Sequence, residues 1–205
     1  MPWPDALLAF AAIALALALQ PWRAFPAATV PWPALLWAAL LPLLWNADRS
    51  SAVAVLQPLS GSCLLMLMLG WPAAVLAVAA VAGCLLLTGM PAPEVLHRAV
   101  WLGLMPATLS MGLGAALRRW LPHHLFIYIL GRGFFATAIA AALAGAGSVW
   151  LHGVPPGLSP ADVVLARGLA ASGDAFITGM LVAIFVAFRP GWLATYADRI
   201  YLPRS

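Results

Sequence analysis

The stretch RGLAASGDAFITGMLVAIFVAFRP, residues 167–190, decides how the chain is read. It is apolar and long enough to cross a bilayer as a helix, and it ends on Phe188-Arg189-Pro190, a stop suited to a membrane surface. Yet it carries Arg167 and Asp174. A charge at membrane depth costs about 2.5–3.5 kcal/mol on insertion scales, so it comes with a partner or a task. The two lie roughly two helical turns apart, which sets them on the same side of the helix. This helix is expected to do more than anchor the chain.

The rest of the 205 residues has the same character, with 64% hydrophobic and 8% charged and a mean hydropathy of +0.99. Soluble domains carry about 25% charged residues. A soluble core could not hide this much apolar surface, whereas lipid can. The composition predicts one all-α polytopic membrane domain over residues 1–205, with membrane lipid as its first partner. The basic residues are all arginine. The net charge of +4 sits in loops and reads as topology signalling, and without an aromatic-basic face nucleic-acid binding is not expected. Cys63 and Cys84 fall inside apolar runs and are expected to be buried small hydrophobes, not a disulfide framework. Residues 4–19 lack a charged lead-in and a small-residue cleavage site, so they are expected to be a retained span.

Apolar runs separated by charge, proline and glycine predict seven spans: 4–19, 31–45, 52–69, 72–90, 100–117, 125–151 and 163–188. A six-span alternative lays 31–45 in the interface or makes it re-entrant. With seven spans, Arg23, Arg118, Arg119, Arg189, Arg199 and Arg204 fall on one side, and Arg49 and Arg98 on the other. The positive-inside rule then puts the N-terminus outside and the C-terminus in the cytoplasm. Nine tryptophans fall at or near span ends and read as headgroup anchors, and only Trp37 lies inside a run. Small residues four apart predict close helix contacts: Gly112 and Ala116, then Ala140, Ala144 and Ser148, then Ala175 and Gly179.

The third span is broken by Gln57-Pro58-Leu59-Ser60-Gly61. Pro58 cannot donate a backbone hydrogen bond, and freed backbone groups at membrane depth must be buried in protein or line a cavity. Discontinuous helices build substrate sites in transporters. Ser60, Ser62 and Cys63, set against Asp174, are therefore the candidate substrate-binding residues, beside the plainer reading of a proline kink packed by serines. Arg132, Arg167 and Asp174 form a candidate intramembrane ion-pair network, either fixing helix register or taking part in coupling. Cys63 and Met66 share a helix face, and with Met105, Met111 and Met180 offer soft ligands of the kind that suit Cu(I), in no established motif. His123 and His124 adjoin Arg118 and Arg119 at the predicted cytoplasmic surface, His97 and His152 fall on the opposite side, and no pair has helical i, i+4 spacing. No metal-ligand set and no cofactor is assigned. With no nucleophile triad, phosphate loop or zinc-protease motif, the chain is not expected to be an enzyme.

Three stretches resemble a known family. Ser60-Gly61-Ser62-Cys63-Leu64-Leu65, followed by Leu69-Gly70-Trp71-Pro72-Ala73-Ala74-Val75-Leu76, resembles the SGHLLG…LLGPWAAVL segment of cobalt/nickel permeases of the CbiM type, the substrate-binding membrane components of energy-coupling-factor ABC transporters. Gly173-Asp174-Ala175-Phe176-Ile177-Thr178-Gly179, then Arg189-Pro190-Gly191-Trp192-Leu193, resembles that family's final helix and its RPDLL ending. A shorter branch of the same superfamily resembles the chain more closely. It carries NLFVYIF…GFFG, here at residues 124–129 and Gly133-Phe134-Phe135, and an ending like residues 188–202. The resemblance covers about the last two-thirds of the chain, and the ending is its most specific part.

The resemblance implies a seven-helix protein of the inner (plasma) membrane. It further implies a substrate-binding permease component, with a transition-metal ion as substrate, that works with a cytoplasmic ATPase and a coupling membrane subunit. In the metal-binding members the ion is held by the N-terminal amine, the histidine that follows the first methionine, and the SGHLLG histidine. Here Pro2 and Ser62 stand in the two histidine positions. Nickel and cobalt favour nitrogen donors, so the fold transfers further than the metal chemistry. The alternative is a non-transporting scaffold or assembly subunit that kept the fold and lost the metal site.

Overall fold

The computed structural model describes residues 3–23, 32–50, 57–154, 157–197 and 201. Among them the chain is all-α, with no strand. Seven helices make the bundle: α1 (Trp3–Ala18), α2 (Trp32–Trp45), α3 (Ser62–Leu69), α4 (Trp71–Leu87), α5 (Ala92–Trp120), α6 (Ile127–His152) and α7 (Pro160–Phe188). Short helical turns follow α1 at Pro21–Arg23, α2 at Ala47–Ser50 and α7 at Pro190–Trp192. Helices α5, α6 and α7 are long and apolar enough to cross a membrane, while α1 and α4 are shorter apolar helices. Large apolar side chains such as Phe10, Leu43, Leu87, Phe126, Phe176 and Phe188 stand exposed on the outside. An outer surface of this kind suits lipid.

The centre is α3. Its sequence, SCLLMLML, is apolar all round, and every residue from Ser62 to Met68 is buried. A helix with no polar face belongs inside protein. Eight residues reach only about 12 Å, so α3 does not cross anything; it is enclosed by α2, α4, α5 and α7. Of the span expected over residues 52–69 and broken at 57–61, the part beyond the break is this helix. Residues 57–61 are non-helical, and residues 52–56 lie outside the described residues, as do 198–200 and 202 of the resembling ending.

Helix α5 starts at Ala92 and not at residue 100. Pro93 in its first turn is pre-set for a helix start, and Glu94 faces the positive end of the macrodipole. This places His97 and Arg98 on a helix. Within α5 the backbone widens into a π-helical stretch, Ala99–Leu104, and α6 opens with another, Ile127–Phe135. Ser159 caps α7 by accepting from the Asp162 N–H at 3.1 Å, with Pro160 as the first helical residue.

Several side chains stand elsewhere than the sequence pattern suggests. A side chain on Gly112 would meet nothing within 4 Å; the buried glycines of that helix are Gly103 and Gly114, the latter against the Arg132 guanidinium. The other two small-residue stripes are internal: Ala140, Ala144 and Ser148 on α6, Ala175 and Gly179 on α7. Trp3, Trp22, Trp32, Trp120, Trp150 and Trp192 are exposed, as anchors should be, but Trp45, Trp71 and Trp101 are buried. Their indole N–H groups have work inside the protein. Cys63 is buried and Cys84, on the outer face of α4, is exposed; both are free thiols.

Arg98 ties α2 to α5. Its Nη1 and Nη2 donate to Asp48 Oδ1 at 2.8 Å and Oδ2 at 2.6 Å, Nη2 also reaches Glu94 at 2.7 Å, and Nη1 meets the carbonyl that ends α2, that of Trp45. A bidentate fork of this kind is the strong form of the ion pair. Burial pushes the Asp48 carboxyl up, but the Arg98 guanidinium outweighs it and holds the group below its ordinary value.

Candidate functional site

The start of α3 is a backbone with no helix to satisfy it. Gly61 takes φ +65°, a left-handed turn, and a Cβ there would meet Leu41 Cδ2 at 2.6 Å, so only glycine fits. Side chains from two other helices, α7 and α2, supply the missing hydrogen bonds. The N–H groups of Ser60 and Gly61 donate to Asp174 Oδ2 at 2.9 Å and Oδ1 at 3.1 Å. The carbonyl of Ser60 accepts from Trp45 Nε1, and that of Gly61 from Trp37 Nε1, each at 2.8 Å. Ser60 Oγ donates to the carbonyl of Leu102, in the π-helical turn of α5, at 2.6 Å, and lies 2.8 Å from Ser62 Oγ. Asp174 thus sits at the N-terminal end of α3, where the helix dipole favours a negative charge. The irregular backbone ahead of α3 is thus satisfied by protein.

The other end of α3 is held the same way. Its last carbonyls lack helical donors. Ala194 N–H donates to Met68 O at 3.2 Å, Thr195 N–H to Leu67 O at 3.3 Å, and Thr195 Oγ1 to the same carbonyl at 3.1 Å. Tyr128 Oη, from α6, lies 2.8 Å from Thr195 Oγ1.

The four residues expected to bind substrate are therefore brought together. Each hydrogen-bonding group is turned onto the protein: Asp174 on two N–H groups, Ser60 and Ser62 on each other, and Cys63 Sγ on the Pro106 carbonyl at 3.5 Å. The expected ion-pair network does not form. Arg167, two turns below Asp174, reaches sideways to the Gly145 carbonyl of α6, through a gap that a side chain on Gly145 would narrow. Arg132 is buried over the Tyr128 ring at 5.8 Å and against Gly114, with Nε and Nη1 unbonded. Asp174 is served by backbone amides and needs neither arginine. Nor do the soft ligands gather, since Met111 and Met180 point outward.

The residues that could hold a metal lie at another end of the bundle. Asp5, in the first turn of α1, is buried; His97 stands near the start of α5 and His152 at the end of α6. Asp5 Oδ2 is 3.1 Å from His97 Nδ1, and Asp5 Oδ1 is 3.0 Å from His152 Nε2. The imidazoles meet edge to face with centroids 4.8 Å apart. Trp101, one turn beyond His97, donates its indole N–H to Asp5 Oδ1 at 2.9 Å. Its ring lies over Gly147, where a Cβ would come within 2.9 Å. Ser148 Oγ lies 3.4 Å from His97 Nε2. A search for histidines at i, i+4 misses this group, because its members come from three helices. The signal lay in the order of the helices: residues 5, 97 and 152 all fall at the same end of the seven-helix bundle. His123 and His124 are exposed, as the sequence suggests.

Comparison with protein-family models, with curated proteins and with solved structures finds no match.

Proposed function

We propose that the chain is the membrane-embedded substrate-binding permease component of an energy-coupling-factor type transporter, with a transition-metal ion as substrate. It crosses the inner membrane several times, with its N-terminus outside and its C-terminus in the cytoplasm, following the arginine distribution. One observation supports the reading above others. The stretches that carry the family resemblance, residues 60–65, 173–179 and the 188–197 part of the ending, are distant in sequence yet meet around α3. Asp174 holds the two residues that lead into it, and Ala194 and Thr195 hold its last turn. A shared motif set that converges on one buried element is what a retained fold would give.

The chain has no nucleotide-binding loop, so energy must come from a separate cytoplasmic ATPase through a coupling subunit. The test is reconstitution in ATP-loaded proteoliposomes with candidate ATPase and coupling subunits, followed by uptake of radiolabelled cobalt, nickel or zinc. Saturable uptake that needs both ATP and this chain is expected. A stable complex with no uptake of any of the three overturns the reading.

That outcome would favour a second reading, a scaffold subunit that kept the fold. Its support is the saturated state of the α3 start, where Ser60, Ser62, Cys63 and Asp174 all have protein partners.

A further inference from the structure

We propose that Asp5, His97 and His152 form a divalent-metal site, taking a borderline ion such as Zn²⁺, Co²⁺ or Ni²⁺ through one carboxylate oxygen and two imidazole nitrogens. The assignment rests on the cluster itself and not on transport.

The donor atoms of the three residues all lie within 4.8 Å of one another. A tetrahedral zinc with bonds of about 2.1 Å holds its ligands about 3.4 Å apart. Asp5 Oδ2 lies 3.1 Å from His97 Nδ1 and Asp5 Oδ1 3.0 Å from His152 Nε2, each close to that spacing, so a small rotation of the carboxylate and the rings brings one oxygen and both nitrogens around a common centre. Two nitrogens and one oxygen suit these borderline ions better than Mg²⁺ or Cu(I). Three protein ligands leave a fourth position for water, the arrangement of an open site and not of a closed structural one.

The surroundings are those of ligands held in advance. Trp101 fixes Asp5 Oδ1 by its indole N–H. Ser148 Oγ stands beside His97 Nε2, the nitrogen away from the carboxylate, where it can accept a hydrogen bond from Nε2–H and leave Nδ1 for the ion. Access is graded: the Asp5 side chain is 3% exposed, His152 21% and His97 37%, so an ion can enter past the rings. Charge gives a second argument. Among the described residues no arginine pairs with Asp5, and its partners at ion-pair distance are the two imidazoles. A buried carboxylate so placed lacks a permanent cation, and a dication supplies one. Trp101 already serves Oδ1, so a purely structural staple would need only His97 on Oδ2; His152 converges as well.

The test titrates tag-free full-length protein in detergent or nanodiscs with Co²⁺. It reads the visible d–d bands of a low-coordinate ion, displacement by Zn²⁺, and stoichiometry by calorimetry. One ion per chain is expected, with affinity at least a hundredfold lower in Asp5→Asn, His97→Asn and His152→Asn, and unchanged in His123→Ala/His124→Ala. Absent or sub-stoichiometric binding by the unaltered chain overturns the proposal, as does wild-type affinity in the three variants. If a variant fails to fold, the unaltered chain still decides. Zn²⁺ should protect His97 and His152 from diethyl pyrocarbonate, read by mass spectrometry, and undiminished labelling overturns the site. Metal binding without uptake would leave the site standing and remove the transporter reading; uptake by an unaltered chain that binds no ion at these three residues would do the reverse.

Discussion

The carboxylate of Asp174 receives two consecutive backbone N–H groups, those of Ser60 at 2.9 Å and Gly61 at 3.1 Å, from a segment more than a hundred residues away. A charge on a membrane-length helix thereby holds the two N–H groups just ahead of α3, while Ser60 Oγ accepts from the first helical N–H, that of Ser62, at 3.3 Å. The last helix and the central one cannot be separated without leaving two buried donors and a buried carboxylate unpaired.

Replacing Asp174 by alanine should therefore cost about 2–6 kcal/mol, since each buried donor left without a partner costs about 1–3 kcal/mol. Asp174→Asn keeps one acceptor oxygen and should cost less. Denaturant unfolding of the two variants in mixed micelles gives the order directly.

Gly61 and Gly112 make a matched pair. At Gly61 an alanine faces a left-handed backbone and the Leu41 methyl at 2.6 Å, and should cost about 1–2 kcal/mol from the backbone alone, with more from the contact. At Gly112, in the body of α5, where a side chain would meet nothing within 4 Å, alanine should be neutral or stabilise by up to about 1 kcal/mol through helix propensity. Thermal unfolding of Gly61→Ala and Gly112→Ala should move in opposite directions or leave the second unmoved.

Much of this was legible in the sequence, and the limits have physical causes. The all-α bundle followed from apolar run length, and the coming together of residues 60–63 with Asp174 followed from the cost of lipid-buried polarity. What could not be read was direction. Nothing in the residues around Asp174 says whether its carboxylate meets Arg167, a seven-residue neighbour, or the amides of Ser60 and Gly61. Trp45, Trp71 and Trp101 look like interface anchors because they sit near run ends, yet α5 begins earlier than its apolar run and carries Trp101 inward. The Asp5–His97–His152 group escaped because its spacing exists only in three dimensions.

The C-terminal hold on α3 is testable by a double-mutant cycle. Thr195→Val removes the hydroxyl that links Leu67 O and Tyr128 Oη but keeps the Thr195 N–H bond. It should cost about 1–2 kcal/mol, Tyr128→Phe a similar amount, and the pair should couple by about 1 kcal/mol. Additive losses would mean that the two hydroxyls do not interact.

Acid should loosen the α2–α5 tie. The Asp48 carboxyl has a folded pKa below its ordinary value of 3.8. Its contribution is thus fully present above that value and is lost as pH falls through the lower folded pKa. Unfolding temperature followed downward from pH 5 should show an acid-side decline that is smaller in Asp48→Asn, whose own stability should be lower at neutral pH.

The most direct test of the account is amide hydrogen exchange at the start of α3, read in nanodiscs for the unaltered chain and for Asp174→Ala. If Asp174 holds this backbone, the Ser60 and Gly61 amides are protected in the former and exchange much faster in the latter, while amides in the middle of α6 keep their rates. Fast exchange at both amides in the unaltered chain, or equal protection in the variant, would contradict the account.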